Sequence, residues 1–134
     1  MSRVLGVDYG TKRVGLALSD TPRITANPHS TVPRAEAVAV VMNLVKEMDV
    51  GTIVVGLPTG LSGDEGTSAS EARKLADELS SATGIDVVLV DERYTSRIAE
   101  SSLLQTGMKR RERREKVDQV AAALILQDYL DNLR

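Results

Sequence analysis

Short β-branched runs and helical segments alternate along this chain, and their order restricts the fold more than any other feature. "RVLGVDYG" (3–10) and "KRVGLALSD" (12–20) are strand-like and separated by a Gly-containing turn, the pattern of a hairpin. A weaker strand is expected near 24–32. Pro33 then suits the first turn of a helix, and "AEAVAVVMNLVKEM" (35–48) repeats apolar residues at Val38, Val41, Leu44, Val45 and Met48. "TIVVGLP" (52–58) reads as a strand buried on both faces. Ser68 and Glu71 have capping-box spacing and open a helix that Gly84 stops near residue 83. "IDVVLVDE" (85–92) is the next strand. Helices near 96–106, ended by Gly107, and over 116–132 complete the order β-β-β-α-β-α-β-α-α. Three hairpin-like strands followed by alternating helix and strand predict an α/β fold with a five-stranded mixed sheet flanked by helices. The 134 residues fit one domain over 1–134, with no internal repeat or linker.

In such sheets ligands gather at the carboxyl ends of parallel strands. Asp8 and the pair Asp91/Glu92 both end apolar strands. A third acid, Asp118, shares a helical face with Ala121, Ala122, Ile125 and Tyr129, a face expected to pack on the sheet. Taken alone, each acid has a plain structural role. Asp8 suits a turn with Gly10, Asp91/Glu92 suit salt bridges with Arg93 or Arg97, and Asp118 suits a first-turn acid favoured by the helix dipole. Taken together, they form an oxygen-only ligand set for Mg²⁺ or Mn²⁺, ions that bind a few carboxylates plus phosphate oxygens. Two such ions can drive phosphodiester hydrolysis. Successive strand residues point to opposite faces, so only one of Asp91 and Glu92 can face Asp8.

Composition narrows the chemistry. There is no cysteine, so disulfides and thiolate metal sites are excluded, and His29 is the only histidine, which leaves little room for a Ser-His triad. Formal net charge is −2, yet "KRRERREK" (109–116) holds six bases and two acids, a local +4 on a remainder of −6. By default a charge run is a solvated loop. Here it directly precedes Asp118, as Thr11, Lys12 and Arg13 follow Asp8, and Arg93 and Arg97 follow Glu92. Basic residues thus flank all three acids, which points to a polyanionic substrate. The expected phosphate contacts are Thr11, Lys12, Arg13, Arg93, Arg97, Lys109, Arg110, Arg111, Arg113 and Arg114. Three tyrosines and no Phe or Trp give little support to base stacking. The glycine-rich "GLPTGLSGDEG" (56–66) lacks Walker spacing and reads as a loop. The apolar runs are too short to cross a bilayer and no signal-peptide core is seen, so a cytoplasmic location is expected.

"GVDYGTKRVGLALSD" (6–20), "VVGLPTGLSGDEG" (54–66), "DERYTSRIAE" (91–100) and "KVDQVAAALILQDYL" (116–130) together resemble the YqgF/RuvX family of bacterial proteins, in the family's order and across nearly the whole chain. The resemblance implies a ribonuclease H-like fold. It implies a nuclease in 5′-end maturation of 16S rRNA precursor, or a Holliday junction resolvase resembling RuvC. Carried over by position, the acidic triad falls on Asp8, the acid of "DER" and Asp118. The mixed Asp/Glu triad of related resolvases selects Glu92 over Asp91. The expected enzyme is a metal-dependent phosphodiesterase, an endonuclease rather than an exonuclease, with rRNA precursor, a four-way DNA junction or both as partner. It is expected to be a monomer or homodimer, the dimer being favoured if it resolves junctions. Two other readings keep the fold: a non-catalytic nucleic-acid-binding protein of ribosome or transcription complexes, and a nucleotide-binding phosphotransferase related to actin-like kinases, whose first phosphate loop "DYGTKRVGLAL" resembles.

Overall fold

A computed structural model describes residues 2–10, 12–57, 67–91 and 110–133, with backbone alone for 67, 68 and 110–115. The strands are β1 (Arg3–Asp8), β2 (Arg13–Ser19), β3 (Ala26–Pro33), β4 (Val50–Leu57) and β5 (Asp86–Asp91). The helices are α1 (Ala37–Glu47), α2 (Thr67–Thr83) and α3 (Arg110–Asp131), and a 3₁₀ turn (Arg34–Glu36) leads into α1. The strands form one mixed sheet in the order β3-β2-β1-β4-β5. β2 is antiparallel to both β1 and β3, while β4 runs parallel to both β1 and β5.

Alternation along the strands divides the core into two layers. Leu5, Val7, Leu16, Ile53 and Val55 face one way and pack with Val41 and Leu44 of α1 and Leu75 and Leu79 of α2. Val4, Ala17 and Val54 face the other way and pack under Ala122, Ile125, Leu126 and Leu130 of α3. Burying each such Leu or Ile contributes about 1.5–3 kcal/mol. The central strands are therefore apolar on both faces, as their continuous runs predict.

α3 lies directly on β1 and β2 because two glycines make room. A Cβ on Gly6 would sit 2.8 Å from the Leu126 Cβ and 2.9 Å from the Ala122 carbonyl oxygen. A Cβ on Gly15 would sit 1.9 Å from the Asp118 carbonyl oxygen. Further along, α3 is clamped to the sheet edge by Gln127, which accepts from the Ala26 N–H (2.9 Å) and donates to the Ile24 carbonyl (2.9 Å).

Three details differ from the sequence reading. Pro33 ends β3 opposite Arg13, in an extended conformation (ψ 143°), and the first helical turn starts after it. β3 is an edge strand, which accommodates Pro28 and Pro33 without a lost ladder bond in the sheet interior. α2 begins at Thr67, one residue before the expected cap, within the usual fraying of helix ends. The largest difference is the basic segment. From Arg110 onward it is helical, the first turns of α3 and not a loop before it. Arginine, lysine and glutamate are good helix formers, and this propensity prevails where no apolar periodicity marks the element. The helix expected over 96–106, Gly107 and most of the glycine-rich segment lie outside the described residues.

Candidate active site

The sheet brings Asp8 and Asp118 to one place through a single residue. Asp8 is the last residue of β1, a central strand, and only 6% exposed. It shares the face of Val4 and Gly6, the side covered by α3. Directly opposite Asp8 in the β1–β2 ladder is Gly15, about 5 Å away between Cα atoms. Over Gly15 lies the backbone of Asp118. Two acids 110 positions apart in the chain thus sit over neighbouring strands, on one face, at the carboxyl end of β1.

Asp118 is ion-paired with Arg13, whose Nε donates to the Asp118 carboxylate. The carboxylate side chain is 17% exposed and the guanidinium 41%. Burial pushes the Asp118 carboxyl above its ordinary value of 3.8, and the hydrogen bond and charge of Arg13 only partly oppose this. Asp118 falls in the third turn of α3, because the helix starts at Arg110. The expected first-turn dipole role is therefore corrected, since that effect fades beyond the first turn. A buried carboxylate needs a cation partner, and here the partner is Arg13.

The turn carrying Lys12 and Arg13 is braced from below. The Arg34 N–H donates to the Lys12 carbonyl (2.9 Å). The Arg34 guanidinium lies 5.8 Å from the centroid of the Tyr9 ring and 3.5 Å from a Glu78 carboxylate oxygen. Lys12 is exposed beside the site. Neither Arg34 nor Gly15 stood out in the sequence. A proline-flanked arginine carries no site signal, and a strand glycine signals close approach without saying to what.

Asp91 pairs with Leu57 at the end of β5. It has the parity of Val87, which packs against the α1/α2 layer, while Val90 packs under α3. Asp91 thus belongs to the face opposite Asp8. Glu92, Thr11, Arg93, Arg97 and Lys109 lie outside the described residues, and of Arg110, Arg111, Arg113 and Arg114 only the helical backbone is described. Among the described residues no three His, Cys, Asp or Glu side chains group as metal ligands. Asp8 and Asp118 supply two, both carboxylates. Carboxylate oxygens are the ligands a hard divalent cation takes, and a cation bound here would share the Asp118 carboxylate with the Arg13 guanidinium.

A family model described as RuvX, Holliday junction resolvase, matches residues 2–132. The chain belongs to the RuvX family. Among its relatives, a protein of Anaeromyxobacter sp. (strain Fw109-5) named "Putative pre-16S rRNA nuclease" is 48% identical over 132 residues, 96% of each chain. One of the same name from Roseiflexus sp. (strain RS-1) is 40% identical over 135 residues, covering 98% of this chain and 96% of that one. Among solved structures, T. thermophilus RuvC in complex with Holliday junction substrate aligns over 99% of this chain and 96% of its own, with a TM-score of 0.60 and 14% identity. At that identity the likeness establishes the ribonuclease H-like fold alone, and it agrees with the mixed five-stranded sheet of this RuvX-family chain.

Proposed function

We propose that this chain is a metal-dependent nuclease that hydrolyses phosphodiester bonds in structured nucleic acid, with the 5′ end of pre-16S rRNA as its substrate and endonucleolytic cleavage as its mode. The observation that carries this reading is the meeting of Asp8 and Asp118 on one face of the sheet edge, with Lys12 and Arg13 beside them. The relatives' shared name and the family's description support it.

Asp8, Glu92 and Asp118 would hold the divalent ion. The placement of Asp91 on the face opposite Asp8 supports the choice of Glu92 from the pair. The ion, Mg²⁺ or Mn²⁺, supplies charge stabilisation at phosphorus and acidity for water. The chain's own residues do the rest. Lys12 and Arg13 neutralise and orient phosphate oxygens, and burial of Asp8 keeps its carboxylate fixed on a rigid strand. The basic start of α3, with Arg110, Arg111, Arg113 and Arg114, together with Thr11, Arg93, Arg97 and Lys109, holds flanking backbone without reading sequence.

Junction resolution is the second reading, favoured by the family's description. It requires two active sites related by two-fold symmetry, hence a homodimer. The test is cleavage of a pre-16S rRNA fragment and a four-way DNA junction side by side, with Mg²⁺ or Mn²⁺ and again after chelation. Ion-dependent cutting of the RNA supports the first reading, and symmetric cutting of the junction by a dimer supports the second. Binding with no cutting of either substrate would leave the non-catalytic reading standing.

A further inference from the structure

Beside the two acids lies an open cleft of about 310 Å³, lined by Lys12, Arg13, Thr31, Val32, Pro33 and Gln119. Its position follows from strand register. Asp8 pairs with Gly15, and Gly15 pairs with Thr31, so the three form one row across the sheet. Thr31 is two strand spacings from Asp8, ~10 Å, close enough for the strand that carries the scissile bond to reach both. Gln119 follows Asp118 on α3 and reaches the same row. Arg13 lines the cleft and also bonds Asp118, so cleft and candidate active site share a wall.

The lining mixes two kinds of group. Lys12 and Arg13 are cations suited to phosphate. Thr31 and Gln119 are neutral, and each both donates and accepts. Their mutual contact is long, 3.4 Å from Gln119 Nε2 to Thr31 Oγ1. Gln127, on the same helix, ties α3 to the sheet with two bonds of 2.9 Å. By comparison Gln119 is a poor structural tie, and its contact is weak enough to exchange for a ligand hydroxyl. A neutral donor–acceptor pair beside phosphate-binding cations matches ribose, whose 2′-hydroxyl both donates and accepts and separates RNA from DNA.

We propose that this cleft is a ribose–phosphate subsite for the RNA strand next to the scissile bond, in which Thr31 and Gln119 engage a 2′-hydroxyl while Lys12 and Arg13 hold the adjoining phosphate. This rests on the nuclease reading and adds the residues that select ribose. Asp8 and Asp118 handle the bond to be cut, and the Thr31–Gln119 pair sets which nucleic acid is accepted.

The test is binding by the full chain carrying Asp8→Asn, which keeps the probe intact. The probes are a short single-stranded RNA and the DNA of the same sequence, each titrated at several salt concentrations. The parent is expected to prefer RNA. Thr31→Val and Gln119→Leu are each expected to weaken RNA binding roughly fivefold to tenfold, the size of one or two net hydrogen bonds, and to leave DNA binding and the salt slope unchanged. Thr31→Ser keeps the hydroxyl and should keep the preference. Lys12→Ala should weaken both probes and lower the salt slope by roughly one. Retained DNA affinity reports that each variant is folded. If Thr31→Val disrupts the fold, Gln119→Leu on the opposite wall decides. Equal RNA and DNA affinity in the parent overturns the subsite and leaves the nuclease reading intact, as does equal weakening of both probes by Gln119→Leu. A parent that binds neither probe also overturns the subsite, while the nuclease reading, which concerns structured nucleic acid, is decided by the cleavage assay.

Discussion

At the residue scale, the Arg13–Asp118 pair is the most informative contact. It joins positions 105 apart, so no local pattern could announce it; sequence alone placed Arg13 on phosphate and Asp118 among the metal ligands, with a helix-dipole role as its plain alternative. Because burial outweighs Arg13 in raising the Asp118 pKa, the ionised carboxylate is less stable folded than unfolded. The sign follows from linkage: a folded pKa above the unfolded one means the folded state binds more protons in that window. The stability contribution of Asp118 is fully present below pH 3.8 and is lost as pH rises through the folded pKa. Asp118→Asn is therefore expected to abolish cleavage while leaving the neutral-pH melting temperature equal to or above that of wild type, and to remove that part of the pH dependence. Thermal melts of both proteins from acid to neutral pH check this. Asp20 moves the other way. Its carboxylate accepts from the Ile24 and Thr25 N–H groups and the Thr25 hydroxyl, and the Ile24 bond is the largest cause of its lowered pKa. Its contribution is present above the ordinary value of 3.8 and is lost as pH falls through the lowered folded pKa.

At the element scale, α3 sets the site by resting on β1 and β2. The apolar spacing of Ala121, Ala122 and Ile125 made its buried face legible, and the alanines suggested close packing. Its start was not legible, because the residues from Arg110 to Lys116 are charged and carry no apolar period. The matching surface was half legible. Gly15 lies in a strand-like run, but only the fold shows that Asp118 occupies the space its side chain would take. Gly15→Ala is predicted to push α3 from the sheet, lowering stability by about 3 kcal/mol or more and separating Asp118 from Asp8; urea unfolding with a parallel cleavage assay measures both. The start of α3 supports a separate prediction. Replacing Arg110, Arg111, Arg113 and Arg114 with glutamine should reduce the salt slope of RNA binding by about three and leave stability nearly unchanged. Binding titrations across salt concentrations, with thermal melts, measure these two effects.

At the scale of the whole molecule, strand runs and helix periods were sufficient for the mixed sheet, because nearly every strand is apolar enough to mark itself. The exception, β3, is a solvent-facing edge carrying Pro28 and Pro33, and its limits were correspondingly vague. Of the candidate site, Asp8 was legible as an acid ending an apolar strand and Asp118 as an acid on an apolar helix face, while Glu92 lies outside the described residues. Its partners were not, because Thr31, Arg34 and Gln119 have no signal until the strands are laid side by side. Asp8, buried at the end of β1 on the sheet face that Asp118 also covers, is proposed to belong to a nuclease centre. The most direct measurement is cleavage of a pre-16S rRNA fragment with Mg²⁺ or Mn²⁺ by wild type and Asp8→Asn, purified identically. Ion-dependent cutting by wild type is expected, with a loss of roughly 100-fold or more in the variant, since a carboxylate that holds the ion controls several kcal/mol of charge stabilisation. Equal cutting by both proteins would contradict it.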